Sequence, residues 1–248
     1  MTVPRRVVAI TGAGGTLGAA VSHQLASEPA TDVVLSDVSA SSLEQTVAGL
    51  PELDGAVETR IADVSDITQV EAVITLAVER FNRLDVLISN AGVLSPNGRI
   101  HNLATEVWEQ AFRINLLGAV NGIRAAVPVM RAQKSGSIVL TASVSGLTAW
   151  SHAAPYCATK AAVIELAKVA AVEYARDGIR VNCVCPGTFR SAIHAELPPE
   201  ALDAIAARHP LGLGSATDLA GAYSYLAGDT SRWTTGAALV VDGGYSAP

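Results

Sequence analysis

The sequence predicts an α/β protein with a doubly wound, seven-stranded parallel sheet and helices on both faces. Seven short runs rich in β-branched residues alternate along the chain with helix-length segments, which is typical of parallel strands joined by right-handed crossovers. Four of these runs are almost continuously apolar, as strands buried on both faces are. Because no internal repeat or linker interrupts the 248 residues, we expect one domain over residues 1–248.

The elements alternate in order from one end of the chain to the other. The predicted strands are residues 7–11, 32–37, 58–63, 86–90, 137–143, 180–185 and 238–242. The predicted helices are residues 17–27, 41–49, 67–81, 106–132, 155–176 and 199–228, the last with a break at Pro210. Polar residues or glycines follow each strand. Since the carboxyl ends of parallel strands share one edge of the sheet, we expect a ligand site there.

Composition excludes several classes of protein. Half of the residues are hydrophobic, 16% are charged and the net charge is −6, which indicates a globular chain. No basic cluster exceeds Arg5-Arg6, so we expect no binding to nucleic acid or to a membrane. No apolar run approaches the roughly 20 residues that span a bilayer. The three cysteines and five histidines form no metal-site pattern, and we expect reduced thiols in a cytoplasmic protein.

A glycine-rich turn follows the first strand, with the sequence Thr11-Gly12-Ala13-Gly14-Gly15-Thr16-Leu17-Gly18. Glycines in such a turn let backbone amides approach a pyrophosphate at the helix N-terminus. The second strand ends at Asp37, where a carboxylate accepts hydrogen bonds from an adenosine ribose. Residues 36–39 offer no Arg or Lys for a 2′-phosphate, so NAD is preferred over NADP. A plain turn or capping role is the alternative for Asp37. Asp63 and Val64 are expected to flank the adenine, with strand-end capping as the alternative.

Tyr156 and Lys160 lie four residues apart in a predicted helix, so their side chains share one face. A phenol with a pKa of about 10 is a poor base at neutral pH, and a nearby positive charge lowers that pKa. Lowering it to about 7 takes roughly 4 kcal/mol, which is more than we expect from one lysine, and a second positive charge such as an oxidised nicotinamide would help. Taken alone the pair is ambiguous, because a solvated lysine beside a packed tyrosine has the same spacing.

Taken in order, these motifs resemble those of the short-chain dehydrogenase/reductase family, in its compact single-domain branch with a Rossmann fold. The resemblance extends over residues 7–245 and rests on the glycine turn, Asp63-Val64, Asn90-Ala91-Gly92, Asn115-Leu116-Leu117-Gly118, Ser143, Tyr156-Cys157-Ala158-Thr159-Lys160, Pro186-Gly187-Thr188 with Ser191, and Val241-Asp242-Gly243-Gly244. One position departs from the branch, which usually has a glycine where this chain has Thr16. Thr16 either clashes with the pyrophosphate or donates its hydroxyl to it, and we expect cofactor binding to survive.

The resemblance implies four catalytic residues. Tyr156 is then the general acid/base, and Lys160 lowers its pKa and holds the nicotinamide ribose. Ser143 hydrogen-bonds the substrate oxygen, and Asn115 holds a water that links Lys160 to solvent. The implied reaction is reversible hydride transfer between a secondary alcohol and NAD. The residues expected to contact the cofactor are Gly12, Gly14, Gly15, Thr16, Leu17, Gly18, Asp37, Asp63, Val64, Asn90, Ala91, Gly92, Tyr156, Lys160, Pro186, Gly187, Thr188 and Ser191.

Substrate contacts are expected from the loops above this site. These loops mix apolar and polar side chains, which suits a small or medium, partly apolar alcohol or ketone. Arg190 either binds a substrate carboxylate or is solvated. Residues 187–210 are expected to form a mobile lid. The substrate candidates are Leu94, Val144, Trp150, His152, Phe189, Arg190 and His194.

The predicted helix 155–176 is apolar or alanine on nearly all sides, which is typical of a fully buried helix. Contact with another subunit is one explanation, and the resemblance implies a homotetramer with two-fold axes. Burial under residues 106–132 alone is the other explanation.

Three other functions remain open. A 3-ketoacyl-(acyl carrier protein) reductase would dock its acidic carrier on basic residues such as Arg131 and Lys134. A dinucleotide-sensing protein without turnover has no reason to keep all four catalytic residues. A methyltransferase also uses a glycine-rich turn, but gives no role to Tyr156 and Lys160.

Overall fold

The computed structural model describes residues 5–191 and 199–247. Its strands are β1 (Arg6–Thr11), β2 (Thr31–Asp37), β3 (Val57–Ile61), β4 (Val86–Ser89), β5 (Gly136–Thr141), β6 (Ile179–Pro186) and β7 (Ala238–Val241). Its helices are α1 (Thr16–Ala26), α2 (Ala40–Ala48), α3 (Ile67–Phe81), α4 (Thr105–Ala111), α5 (Gly118–Gln133), α6 (Ala154–Tyr174), α7 (Pro199–Ala206) and α8 (Ala216–Ala227). A π-helical segment, Phe112–Leu117, joins α4 to α5.

The seven strands found in these ranges form one parallel sheet in the order β3-β2-β1-β4-β5-β6-β7. The strand order reverses at β1, which pairs with β2 on one side and with β4 on the other. In a doubly wound sheet this switch point opens a crevice at the carboxyl ends of the strands. The predicted fold class is confirmed, and the predicted ligand edge coincides with the crevice.

Both faces of the sheet are covered by helices. Successive side chains of a strand point to opposite faces. Val7 and Ala9 of β1 therefore pack in the core formed with α3, α5 and α6. Val8 and Ile10 pack in the core formed with α1 and α8. Burial on both sides is the physical reason that this strand is continuously apolar.

Two predicted helices differ from the structure. Residues 106–132 are helical throughout, as predicted, but not α-helical throughout, because the helix passes through the π-helical segment at Asn115, a residue that bonds outside its own helix. The segment 199–228 contains two helices, α7 and α8, separated by residues 207–215. The break at Pro210 is confirmed, and it is widened by Gly212, whose φ is +74°.

Within residues 5–191 and 199–247, no helix is long and apolar enough to cross a membrane. The predicted lid, residues 187–210, falls partly on residues 192–198, which lie outside the described residues together with the candidate His194.

Candidate active site

A cleft of about 850 Å³ opens at the carboxyl ends of the strands, beside the switch point between β1 and β4. This volume lies in the range of ordinary ligand sites. Every residue that we predicted to contact the cofactor lines the cleft. Of the predicted substrate residues, Leu94, Trp150 and Phe189 line it as well.

Three predicted substrate residues are not brought to the lining of the cleft in the described part of the chain. Val144 is fully buried, because it follows β5 directly and packs into the protein interior. His152 and Arg190 are exposed to solvent. The structure therefore supports the solvated alternative for Arg190.

The N-terminus of α1 is arranged to receive an anion. Ser39, Asp66 and Ser215 cap helices α2, α3 and α8 with their side chains. In contrast, the N-cap of α1 is Gly15, which offers no side chain, and its first turn has no acidic residue. The first backbone amides of a helix without a cap remain available to a ligand. The exposed Thr16 is the first residue of α1 and lines the cleft.

Close backbone approaches shape this turn. A Cβ on Gly12, whose φ is +66°, would lie 2.6 Å from Ala91 Cα. A Cβ on Gly18 would lie 1.9 Å from the carbonyl oxygen of Gly12. Since such distances are impossible between unbonded atoms, glycine at these positions lets β1, α1 and the end of β4 meet. These contacts form the floor of the cleft, and they fit a pyrophosphate.

Asp37 is held rigidly at the end of β2. Its carboxylate accepts hydrogen bonds from the amides of Gly14 (2.9 Å) and Ser39 (2.9 Å). A Cβ on Gly14 would come within 3.0 Å of Asp37 Cγ, so glycine permits this approach. Because a carboxylate has about four acceptor positions, Asp37 retains capacity for ribose hydroxyls. Its negative charge opposes a 2′-phosphate at the same place.

Tyr156 and Lys160 converge in the cleft from one face of α6. Lys160 is 3% exposed. Its Nζ donates to the carbonyl oxygen of Thr141 at 2.7 Å and lies 5.7 Å from the centroid of the Tyr156 ring. The alternative of a solvated lysine therefore does not hold for this pair. Lys160 is a fixed positive charge beside the phenol.

Burial shifts the pKa values of both groups. It raises the pKa of Tyr156 to about 12, against a hydrogen bond with the Ser143 side chain that lowers it. Burial lowers the pKa of Lys160 to about 8. At neutral pH Lys160 is therefore mainly cationic, and Tyr156 is a protonated phenol ready to donate. An additional positive charge is needed before Tyr156 acts as a base.

Ser143 follows β5 and faces Tyr156. Its Oγ accepts a hydrogen bond from the amide of Ser145 at 3.1 Å. Since this bond occupies an acceptor position, the hydroxyl hydrogen of Ser143 is free to point toward Tyr156 or a substrate oxygen.

Asn115 lies on the π-helical segment and bonds to Thr159, the residue before Lys160. Its Oδ1 accepts from the amide of Val93 at 2.7 Å, and its Nδ2 donates to the carbonyl oxygen of Val93 and to Thr159 Oγ1. A Cβ on Gly92 would lie 3.2 Å from Asn115 Oδ1 and 3.3 Å from Lys160 Nζ. Asn115 thus ties the loop after β4 to α6. Its predicted role in holding a water stays a prediction.

Sequence reasoning missed part of the lining. Tyr245 follows the Gly243-Gly244 turn, and that turn is the signal that points to it. Arg208 and Ile205 come from the end of α7 and the residues after it, which carry no motif. The other missed residues are Val38, Ser42, Ala62, Ile114, Thr141 and Ala142. In the described ranges, no group of three or more His, Cys, Asp or Glu residues could hold a metal ion.

Comparisons with known proteins show what the whole chain is similar to. A family model described as enoyl-(acyl carrier protein) reductase matches residues 12–246. The chain is 37% identical to cis-4-hydroxycyclohexanecarboxylate dehydrogenase of Sinomonas cyclohexanicum, over 98% of this chain and 97% of that protein. It is 34% identical to the 3-oxoacyl-[acyl-carrier-protein] reductase of Thermotoga maritima, over 98% and 99%. The crystal structure of NAD⁺-bound xylitol dehydrogenase matches with a TM-score of 0.91 at 27% identity, over 98% and 100% of the two chains.

Proposed function

Because this chain belongs to the short-chain dehydrogenase/reductase family, we propose that it interconverts a secondary alcohol and its ketone with NAD(H). The observation that carries this proposal is the convergence of Tyr156, Lys160 and Ser143 at one end of a cleft whose other end has an uncapped helix N-terminus and Asp37. A donor of protons and a dinucleotide site are thereby combined in one crevice.

In the proposed oxidation, Ser143 orients the substrate oxygen toward the hydroxyl of Tyr156. Tyr156, as phenolate, takes the proton of the alcohol, and the Lys160 ammonium stabilises the phenolate. A bound oxidised nicotinamide would supply the hydride acceptor and a further positive charge. In the reverse direction Tyr156 donates its proton to the carbonyl oxygen. With its pKa raised to about 12, Tyr156 already carries that proton at neutral pH.

The residues at the other end of the cleft fit NAD better than NADP. The amides at the start of α1 would hold the pyrophosphate, and Asp37 would accept hydrogen bonds from the adenosine ribose. Lys160 and Arg208 are the Lys and Arg residues among the described residues that line the cleft. Lys160 is used near Tyr156, and Arg208 contacts Tyr245, so neither is beside Asp37.

The walls of the cleft and the relatives both favour a ring-bearing substrate. Leu94, Trp150 and Phe189 give the substrate end an apolar surface. A relative that is 37% identical is named for a hydroxycyclohexanecarboxylate. We therefore include cyclic secondary alcohols of this size in the proposed substrate class.

A second candidate function is reduction of a 3-ketoacyl group on acyl carrier protein, which the Thermotoga maritima relative favours. The basic surface needed for an acidic carrier is weakened, because Arg131 forms an ion pair with Asp177, with Nε and Oδ2 2.9 Å apart. The proposal accordingly ranks a free small-molecule substrate first.

We also propose that the chain forms a homotetramer through α6. Burial under residues 106–132 alone does not account for this helix, because Val172 is 82% exposed and Val169 48%. An apolar helix face of this kind is typical of a subunit interface. The cytoplasmic location and the single domain remain parts of the proposal that rest on the sequence.

The test is NADH formation with a panel of cyclic and acyclic secondary alcohols, with NAD and NADP in parallel. We expect turnover with NAD, and a loss of about 100- to 10,000-fold in Tyr156→Phe, which lacks the general base. Tyr156→Phe should still bind NADH by calorimetry. Turnover that persists in the variant would contradict the proposed mechanism, and turnover with NADP alone would contradict the role of Asp37. Activity confined to 3-ketoacyl-carrier substrates would favour the second candidate.

A further inference from the structure

An aromatic wall extends from the catalytic tyrosine to the end of the chain. The rings of Trp150 and Tyr156 are stacked, with centroids 6.2 Å apart. Trp150 and Tyr245 meet edge to face, with centroids 6.3 Å apart. All three rings line the cleft, so a molecule whose reacting carbon lies at Tyr156 contacts this wall.

Arg208 lies at the far end of the wall. Its guanidinium carbon is 4.7 Å from the centroid of the Tyr245 ring, and the residue lines the cleft. Among the described residues, Arg208 forms no ion pair. A contact with an aromatic face stabilises an exposed cation only weakly and leaves its charge in place. A positive charge is thus available to a ligand here.

The position of Arg208 is set by its neighbour. His209 is 3% exposed and accepts a hydrogen bond from the amide of Thr188 at Nε2, 3.1 Å away. Its Nδ1 donates to the carbonyl oxygen of Ile205 at 2.9 Å. The ring of His209 also packs on Tyr245, with centroids 4.8 Å apart. These contacts hold the backbone that carries Arg208 against the cleft.

Two polar atoms of the aromatic wall lack partners, and one of them belongs to Tyr245, whose ring Arg208 contacts. Trp150 Nε1 and the hydroxyl of Tyr245 are buried and make no hydrogen bond within the described part of the chain. Buried polar groups are almost always hydrogen-bonded in native proteins, so an orphaned pair beside a cleft points to a ligand. The indole and the guanidinium can only donate, and the phenol can donate as well. A group that binds the guanidinium, together with either of these atoms, must therefore be an acceptor.

We propose that Arg208, beside Tyr245, forms a carboxylate-binding subsite at the end of the aromatic wall, and that the substrate is a secondary alcohol that also carries a carboxylate. The planar guanidinium matches a carboxylate with two parallel hydrogen bonds, which distinguishes this group from a neutral amide or ester. The carboxylates that line the described cleft, Asp37 and Asp63, do not compete, because Asp37 is bound near Gly14 and Asp63 near Ser65. This inference rests on the proposed function for the identity of the reacting end.

The test is calorimetric binding of cyclohexanecarboxylate and of cyclohexanecarboxamide to the full-length protein with saturating NADH. We expect the wild type to bind the acid about 10- to 100-fold more tightly than the amide. Arg208→Gln should abolish this preference, whereas Arg208→Lys should keep part of it. Arg232→Gln is the matched control, because Arg232 is exposed and lies outside the cleft. The affinity for NADH should be unchanged in every variant.

Equal affinity of the wild type for acid and amide, or no binding of either, would refute the subsite. So would a preference that survives in Arg208→Gln. Turnover of 4-hydroxycyclohexanecarboxylate and its carboxamide separates this inference from the proposed reaction. Equal kcat/KM for both leaves the reaction standing and refutes the subsite. Acid-selective binding, without oxidation of any secondary alcohol, refutes the reaction and leaves the subsite supported.

Discussion

Lys160 shows, at the scale of one residue, how a group that we propose to be catalytic destabilises the folded state. Its ammonium is buried, and burial lowers its pKa from 10.5 to about 8. The positive charge of such a group stabilises the phenolate form of the neighbouring phenol, which the proposed reaction needs. Its burial lowers the free energy of unfolding, because the charge loses its hydration. The sequence indicates the pairing with Tyr156 by its spacing alone. The burial that creates the conflict depends on residues far away in the chain.

We expect Lys160→Met to increase the free energy of unfolding by about 2 kcal/mol at pH 7 while abolishing turnover. The pKa difference corresponds to about 3 kcal/mol, and loss of the bond to Thr141 offsets about 1 kcal/mol. Since the folded protein releases this proton first, the stability of the wild type rises with pH between about 8 and 10.5. The difference in unfolding free energy between Lys160→Met and the wild type should therefore become smaller as the pH rises from about 8 to 10.5. Urea unfolding at several pH values measures it, and a variant less stable than the wild type at pH 7 would contradict it.

The pKa of Tyr156 predicts different pH dependence for the two directions of the reaction. Oxidation requires the phenolate, so its kcat/KM should increase toward alkaline pH. Reduction requires the protonated phenol, and because a pKa of about 12 keeps the phenol protonated up to pH 10, the kcat/KM of reduction should stay nearly level. The substitution Lys160→Gln removes the positive charge and should move the oxidation profile to higher pH. Initial rates between pH 6 and 10 measure this, and superimposable profiles would argue against the role of Lys160.

At the scale of elements, the local sequence predicts the glycine turn but not the π-helical segment. The turn after β1 was predictable because backbone approach requires glycine, whatever surrounds it. The π-helical segment was not, because residues 106–132 have the composition of one continuous helix. The one indication in the sequence is Asn115, because asparagine is a poor helix former and lies inside residues 106–132. Asn115 binds the backbone of Val93, and this contact depends on the packing of two segments that are distant in sequence.

Two glycines provide a matched test of this element-level reading. Gly18→Ala places a methyl group 1.9 Å from the carbonyl oxygen of Gly12, and we expect a loss of about 3 kcal/mol or more in unfolding free energy. Gly221→Ala lies on α8 with no heavy atom within 4 Å of the new Cβ. It should stabilise the protein by about 0.5–1 kcal/mol and leave activity unchanged. Urea unfolding compares them, and similar effects of the two substitutions would contradict the steric argument.

At the scale of the whole molecule, the exposed apolar face of α6 is the surface through which we propose that the subunits associate. We expect the wild type to sediment as a tetramer and Val172→Glu to sediment as a smaller species, because the new charge would be buried at the interface. Thr75→Glu adds the same charge to an exposed position of α3 and should leave the tetramer intact. Sedimentation velocity distinguishes them. A wild-type monomer would refute the proposed interface.

The sequence by itself determined the fold class and the ligand edge, and the residues that it predicts to contact a cofactor all line the cleft. Each of these follows from a local pattern, and a parallel sheet brings the ends of its strands to one edge whatever the details of packing. Only the tertiary structure showed that Val144 is buried away from the cleft, and that Arg208 and Tyr245 join its lining. The placement of Val144 depends on how the segment after β5 packs, and the placements of Arg208 and Tyr245 depend on how the segments after β6 and β7 pack at the cleft. Contacts between residues so far apart leave no period or motif in the sequence.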